Sequence, residues 1–288
     1  MKNRIQAFYL LIFFLVSQVT IAQGPWAKGK GHGYGQFLFN IIPTYSELFD
    51  KDFEEGKRPT QRELSDITIA AYAELGVSDK VTLGVNIPFV IISSGDIVDS
   101  EVAPLFPEDN LGSLGNITLQ GKYTFIDKKW KVAFISDFEL PTSSRNEDSG
   151  LSTGVDAFTF QPKLSFGSSD NKFYYFGYFG YGLRSNNYHD FLNFGVEGGY
   201  KASEKLTLIL HLNRWHNVNN GNPNIDSIAN LETGFYTSNQ EYTSFLIKVF
   251  ADDLIKKVGG FFSLGGGGFS AKSVAVSPAL SFGLFYKW

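Results

Sequence analysis

The chain has 288 residues and no cysteine, and carries 25 Lys and Arg against 29 Asp and Glu for a net charge of −4. This excludes a disulfide framework and a thiolate metal or redox site, and an acidic chain without a basic stripe gives no reason to expect nucleic-acid binding. Hydrophobic residues make up 43% and mean hydropathy is only −0.08, yet there are 28 Phe and 14 Tyr. That mixture suits strands that present alternate residues to lipid and to an interior.

At the N-terminus, Lys2 and Arg4 precede an apolar run over residues 7–16, and Thr20-Ile21-Ala22 offers a cleavage site ahead of Gln23. A signal peptide is expected over 1–22, leaving a mature domain of 23–288. The apolar core falls short of the roughly 20 residues of a membrane-spanning helix, and no Cys follows the cleavage site, against a lipoprotein. Losing Lys2 and Arg4 leaves 23 basic residues against 29 acidic ones, a charge of −6. No later apolar run is long enough for a spanning helix.

The mature chain reads as about twelve alternating segments of roughly ten residues, the length of a tilted spanning strand. The first, 33–42, has Phe37, Phe39 and Ile41 on one face. The second, 67–76, alternates Ile67, Ile69, Ala71, Ala73 and Leu75 with Thr68, Tyr72 and Glu74. After a turn at Ser78-Asp79-Lys80, the third sets Val81, Leu83, Val85, Ile87 and Phe89 against Thr82, Asn86 and Pro88. The fourth, 116–125, alternates Ile117, Leu119, Tyr123 and Phe125 with Asn116, Thr118, Gln120, Lys122 and Thr124, so a one-residue slip would put Lys122 in lipid. Further segments follow at 131–140, 156–166, 173–184, 191–201, 206–215, 242–250 and 258–269. In 173–184 the facing is ambiguous, because Tyr174, Phe176 and Tyr178 oppose Tyr175, Phe179 and Tyr181. The last segment, 275–288, sends Pro278, Leu280, Phe282, Leu284, Tyr286 and Trp288 one way and Ser277, Ala279, Ser281, Gly283, Phe285 and Lys287 the other.

Short turns near Ser78, Asp127, Ser169, Ser203 and Asp253 alternate with long polar connections at 43–65, 93–113, 141–154 and 216–240. Two short links, 186–189 and 270–273, break the pattern. An outer-membrane barrel has short periplasmic turns and longer extracellular loops. The expected fold is therefore all-β: one transmembrane antiparallel up-and-down barrel of about 12 strands, in the outer membrane of a Gram-negative bacterium. Strand one would pair with the last strand, Phe37, Phe39 and Ile41 facing lipid. The terminal Trp288 would be the signal read by the barrel-insertion machinery, with outer-membrane lipid around the wall. A soluble β-sandwich shares the strand spacing but accounts for neither Trp288 nor the aromatic load.

The inward faces would hold Tyr72, Glu74, Asn86, Gln120, Lys122, Asp137, Glu139, Lys163, Arg184, Asn193, Glu197, Lys201, His211, Asn213 and Lys248. Such a set is either a self-satisfying network filling a modest lumen or a polar path for a small-molecule solute. Barrels of about 8 strands are filled by side chains and those of 16–18 leave a wide channel, so twelve predicts a narrow or plugged pore. His211 and His216 fall on opposite faces of one strand, against a shared metal; no cofactor is expected. His216-Asn217-Val218-Asn219-Asn220-Gly221 resembles the His-x-Ser-Asn-Gly element of twelve-stranded outer-membrane phospholipases, but Val218 stands where the Ser nucleophile belongs. The acidic segment 50–56 has Glu55 where a calcium loop needs Gly and Gln61 where it needs a bidentate Glu. Residues 265–268, four glycines without a following Lys-Ser/Thr, read as a bend or a close approach of backbone or of a plug rather than a phosphate loop. The same reading applies to Gly31-His32-Gly33-Tyr34-Gly35.

The stretch Tyr72-Ala73-Glu74-Leu75-Gly76-Val77-Ser78-Asp79-Lys80-Val81-Thr82-Leu83, followed by Asn86-Ile87-Pro88, resembles a hairpin of the phenol-degradation (MetA-pathway) family of outer-membrane proteins. Leu114-Gly115-Asn116, Lys122-Tyr123 and Glu139-Leu140-Pro141-Thr142 are similar to further family motifs. The resemblance implies a porin-like or transporter-like barrel for small, hydrophobic or aromatic compounds, with no catalytic site to carry over. A structural or surface-recognition barrel with a plugged lumen is the alternative, and a lipid hydrolase the third.

Overall fold

The computed structural model describes residues 24–99, 103–222 and 227–288; the expected signal peptide lies outside the described residues. The strands are β1 (Gly33–Asp50), β2 (Lys57–Gly76), β3 (Val81–Ile97), β4 (Asp109–Leu114), β5 (Ile117–Asp127), β6 (Trp130–Leu140), β7 (Thr159–Ser169), β8 (Phe173–Arg184), β9 (Phe191–Lys201), β10 (Leu206–Asn217), β11 (Glu241–Ile255), β12 (Val258–Ala275) and β13 (Ala279–Lys287). One short helix, α1 (Ile228–Thr233), lies between β10 and β11.

Each strand is antiparallel to its neighbours, and β2 pairs with β1 on one side and β3 on the other, so the sheet closes on itself. β4 and β5 share one position in the wall. β4 pairs with the far half of β3, ending at Phe89↔Leu114, and β5 takes over at Asn86↔Thr118. The break falls opposite Pro88, which has no N–H to give a ladder; its carbonyl instead accepts from Gly115 N–H at 2.9 Å. The result is a closed barrel of twelve wall strands.

At the seam β1 pairs with β13 from Tyr34↔Lys287 to Ile41↔Leu280. Phe37 and Leu284 are exposed on the outer face, Phe39 stacks on Phe282, and Ala279, Ser281 and Phe285 are buried inside. In β8 the ambiguity resolves with Phe176 and Tyr178 buried inside and Tyr175, Phe179 and Leu183 exposed outside. The neighbouring ladders leave no choice, since β7 and β9 each offer glycine beside the inward rings, with Gly167 opposite Phe176 and Gly195 opposite Tyr178.

An apolar belt covers the outer face, including Leu83, Ile87, Leu119, Phe134, Leu164, Phe179, Val196, Leu210, Ile247 and Phe262. In water such a belt would be a liability far larger than the patches soluble monomers expose; in lipid it is the required surface. Outward ring pairs Trp130–Tyr175, Phe173–Tyr200 and Tyr286–Trp288 lie near the short-turn end, where aromatic side chains suit the membrane interface.

Several boundaries differ from those read in the sequence. The connection expected at 43–65 is mostly strand: β1 runs on to Asp50 and β2 starts at Lys57. Pro43 and Pro59 sit at or beside register shifts of this ladder, where a missing donor is tolerated. The expected link 270–273 lies within β12. Ser270 and Ser273 have φ of 48° and 55°, left-handed residues of the kind that make turns, but here they accompany register irregularities in a continuing strand. β13 consequently starts at Ala279, not 275, and β7 at Thr159, not 156. β4 occupies part of what reads as the loop 93–113.

Candidate functional site

The interior is divided into an outer and an inner chamber. Above the outer one, toward the long connections, Ile42, Tyr45, Leu48, Leu64, Val90 and Ile92 from the extended strands pack on Leu151 and Phe235 from the two long inward-folded connections. This apolar cap is latched by hydrogen bonds. Arg58 donates to the Leu231 carbonyl and pairs with Asp50 and Glu232, while Asn230 Nδ2 and Thr233 Oγ1 both donate to the Gly150 carbonyl, at 3.1 and 2.9 Å. Burial in the cap, with the carboxylates of Asp66 and Glu139 nearby, pushes the Tyr236 phenol well above its ordinary range and keeps it neutral. At the hairpin tip, the ion pair with Lys272 holds the Asp52 carboxyl below the usual carboxylate range.

The outer chamber, about 290 Å³, is lined by Asn86, Asp137, Glu139, Lys163 and Asn193 of the expected set, with Phe191, Trp215 and Tyr236. Arg184 lies beside it, its guanidinium 4.6 Å from the Phe191 ring centroid and 5.2 Å from Trp215. The inner chamber, about 520 Å³, is lined by Tyr72, Glu74, Lys122, Glu197 and His211, joined by Lys201 and Lys248.

Between the chambers lies a hydrogen-bonded layer. Lys163 is ion-paired with Asp137, whose other oxygen accepts from Gln120 Nε2 at 3.0 Å. Across the bore, Asn213 Oδ1 accepts from Tyr178 OH and Asn193 Nδ2, both at 2.7 Å. Glu197 accepts from Tyr174 OH at 2.8 Å and lies 3.1 Å from His211 Nδ1. Thus the alternation in β2, β3 and β5–β11 carries all fifteen predicted residues to the inside, but the structure distributes them over two chambers and a partition.

One contributor has no counterpart in the sequence reading. Residues 24–31 enter the inner chamber ahead of β1. Trp26 packs edge-on against the inward rings of Tyr174 and Phe176 at 5.9 and 5.8 Å. The Pro25 carbonyl accepts from Thr124 Oγ1 at 2.8 Å, Lys28 N–H donates to Thr82 Oγ1 at 3.0 Å, and Lys28 Nζ lies 3.3 Å from Glu74 Oε2. The usable signals were Pro25-Trp26, an apolar pair where a disordered tail would be polar, and Gly76. A Cβ on Gly76 would fall 1.9 Å from the Gly29 carbonyl oxygen. We therefore expect Gly76→Val to expel this segment while the barrel still folds. Proteolysis should then release residues 24–31 from the variant and not from the wild type.

His216 sits at the outer rim with Nδ1 3.3 Å from Glu241 Oε2, and Val218 beside it is exposed. The glycines at 265 and 267 allow close approach of β11, a Cβ at either being 3.0 Å from the Phe245 or Thr243 carbonyl oxygen.

A closed barrel with an apolar belt, a polar divided bore and long connections gathered at one end is the architecture of outer-membrane channel-type β-barrels. The profile of the family described as "Putative MetA-pathway of phenol degradation" matches residues 64–219, and the chain belongs to that family. An outer membrane channel from Pseudomonas putida F1 has the same fold, with a TM-score of 0.66 at 14% identity over 94% of this chain and 100% of that one. Looser likenesses reach the KdgM porin (TM-score 0.47, 6% identity, 88% of this chain and 99% of that one) and the CymD monoaromatic hydrocarbon channel (0.45, 11%, 90% and 88%). No curated protein sequence matches the chain.

Proposed function

We infer that this protein is a passive channel or uptake protein for small molecules, hydrophobic or aromatic ones above all, working as a single barrel domain over residues 23–288 in a Gram-negative outer membrane. The observation that carries the reading is the pair of chambers, about 290 and 520 Å³, with charges of both signs and aromatic rings in one bore. A purely structural barrel has no use for such volume, since a packed core would pair the same polar groups with one another. The family's description concerns phenol degradation and the Pseudomonas putida relative is described as a channel, both in keeping with this reading. It assigns no catalysis, and it takes the β13 terminus at Trp288 as the address for membrane insertion.

Refolded protein in planar bilayers is expected to conduct in small discrete steps and, in vesicles, to admit small aromatic solutes. Complete absence of conductance and of solute flux would sink the channel reading. The interlocked cap favours a second reading, in which the lumen is plugged and the hairpin tip 51–56, all that is left of the connection expected at 43–65, recognises a surface partner together with the connection 216–240. Trimming those connections should then abolish partner binding, whereas a channel keeps its flux.

A further inference from the structure

Two lysines of the inner chamber stand apart from its ion pairs. Lys122 on β5 is only 3% exposed, and Lys248 on β11 has its ammonium 4.8 Å from the Phe261 ring centroid. Among the described residues, neither ammonium forms a salt bridge. The carboxylates whose charge reaches them are shared with other groups: Glu74, which acts on Lys122, also holds Lys28 and Tyr72, and Glu197, which acts on Lys248, also holds Tyr174 and His211. The chamber wall carries five lysines, Lys28, Lys122, Lys201, Lys248 and Lys287, against three carboxylates, Glu74, Glu197 and Asp252, and a cleft with a surplus of one charge sign gathers ions of the other, which points to an anionic occupant. The other wall is aromatic, with Trp26 set edge-on against Tyr174 and Phe176. About 520 Å³ lies within the range of small-molecule sites.

We propose that the inner chamber binds small aromatic carboxylates, with the anionic group at Lys122 and Lys248 and the ring against the aromatic wall. This names the solute class of the channel proposed above and rests on that reading for the route of entry. The outer chamber does not compete for such a group as strongly. Its lining holds one lysine, Lys163, against three carboxylates, Asp66, Asp137 and Glu139, and Lys163 is ion-paired with Asp137.

The test separates binding from passage. Benzoate, benzyl alcohol and benzylammonium share a ring and differ in charge, and their affinity for the full-length barrel in detergent can be compared by saturation-transfer NMR. Benzoate should bind about tenfold tighter than benzylammonium, the low end of the enrichment a cleft of one charge sign gives. Lys122→Met/Lys248→Met should reduce that preference to parity, and Lys122→Arg/Lys248→Arg should keep it. Folding of each variant is read from its heat-dependent gel shift, and if the double Met variant does not fold, either single Met variant should lose most of the preference. Equal or tighter benzylammonium binding by the wild type would overturn the proposal, as would a benzoate preference that survives in a folded Met variant. Binding of benzoate with no flux of any probe would instead overturn the channel reading and leave the site standing.

Discussion

Replacing Trp26 and Lys28 together with serine should raise single-channel conductance severalfold and lengthen the open periods. Both side chains lie inside the inner chamber at the end where the two termini and the short turns gather. Trp26 is held by edge-on contact with Tyr174 and Phe176, and Lys28 by Glu74 and by its position 4.8 Å from the Tyr34 ring centroid. Aromatic pairs of this geometry are worth about 0.5–1.5 kcal/mol beyond the area they bury. The ion pair adds less, because the Lys28 end is partly exposed. Loss of both leaves the segment held by its backbone alone, through the Pro25 carbonyl and the amides of Lys28, Lys30 and Gly31, against the entropy of ordering eight residues. Current recordings of the serine variant that match the wild type would show that residues 24–31 do not obstruct the bore. Trp26→Phe, which keeps a ring on the same wall, should behave nearly as the wild type does.

The second large effect is on stability. Lys163→Met should lower the free energy of unfolding by about 3–5 kcal/mol, the usual cost of breaking a buried ion pair from one side. Both side chains are nearly inaccessible, Lys163 at 1% and Asp137 at 8%, and the substitution leaves the Asp137 carboxylate with only Gln120 as a donor. Lys163→Met combined with Asp137→Leu should recover most of the loss, since it is the orphaned charge and not the missing attraction that destabilises. Urea unfolding followed by gel shift measures both. A single variant as stable as the wild type would mean that water in the outer chamber already solvates the pair.

Much of the wall was legible from side-chain alternation. Residues such as Lys122 and Leu119 leave one register open to a strand with lipid on one face, and the seam of β1 with β13 followed from Phe37, Phe39, Leu284 and Tyr286 alone. β8 was not legible by itself, because aromatic side chains suit both a lipid face and a chamber wall; the glycines of β7 and β9 decide it, and those are neighbours only in space. The ends of the long strands were hidden by local chemistry that normally stops strands. Pro43, Pro59, Ser270 and Ser273 are bulge residues here, and distinguishing a bulge from a turn requires knowing whether the partner strand continues. The site was legible as an inward-facing set, but not as two chambers. That division depends on the cap of 141–158 and 227–240 and on residues 24–31, whose packing partners are distant in sequence, as Arg58 is from Leu231 and Trp26 from Tyr174, and leave no periodic trace.

The strands are of very unequal length. β1, β2, β3 and β12 have 17 to 20 residues, whereas β7 to β10 have 11 or 12. At about 3.3 Å per residue, a difference of six to eight residues is a step of roughly 20–25 Å before tilt. The barrel therefore ends in a rampart on one side and a low sill on the other. On the channel reading, a solute arriving from outside meets a shield along the arc of β12, β1, β2 and β3 and reaches the bore by crossing the sill above β7 to β10. Access is directional, and surface groups next to Asn186 and Asn219 are the first it meets.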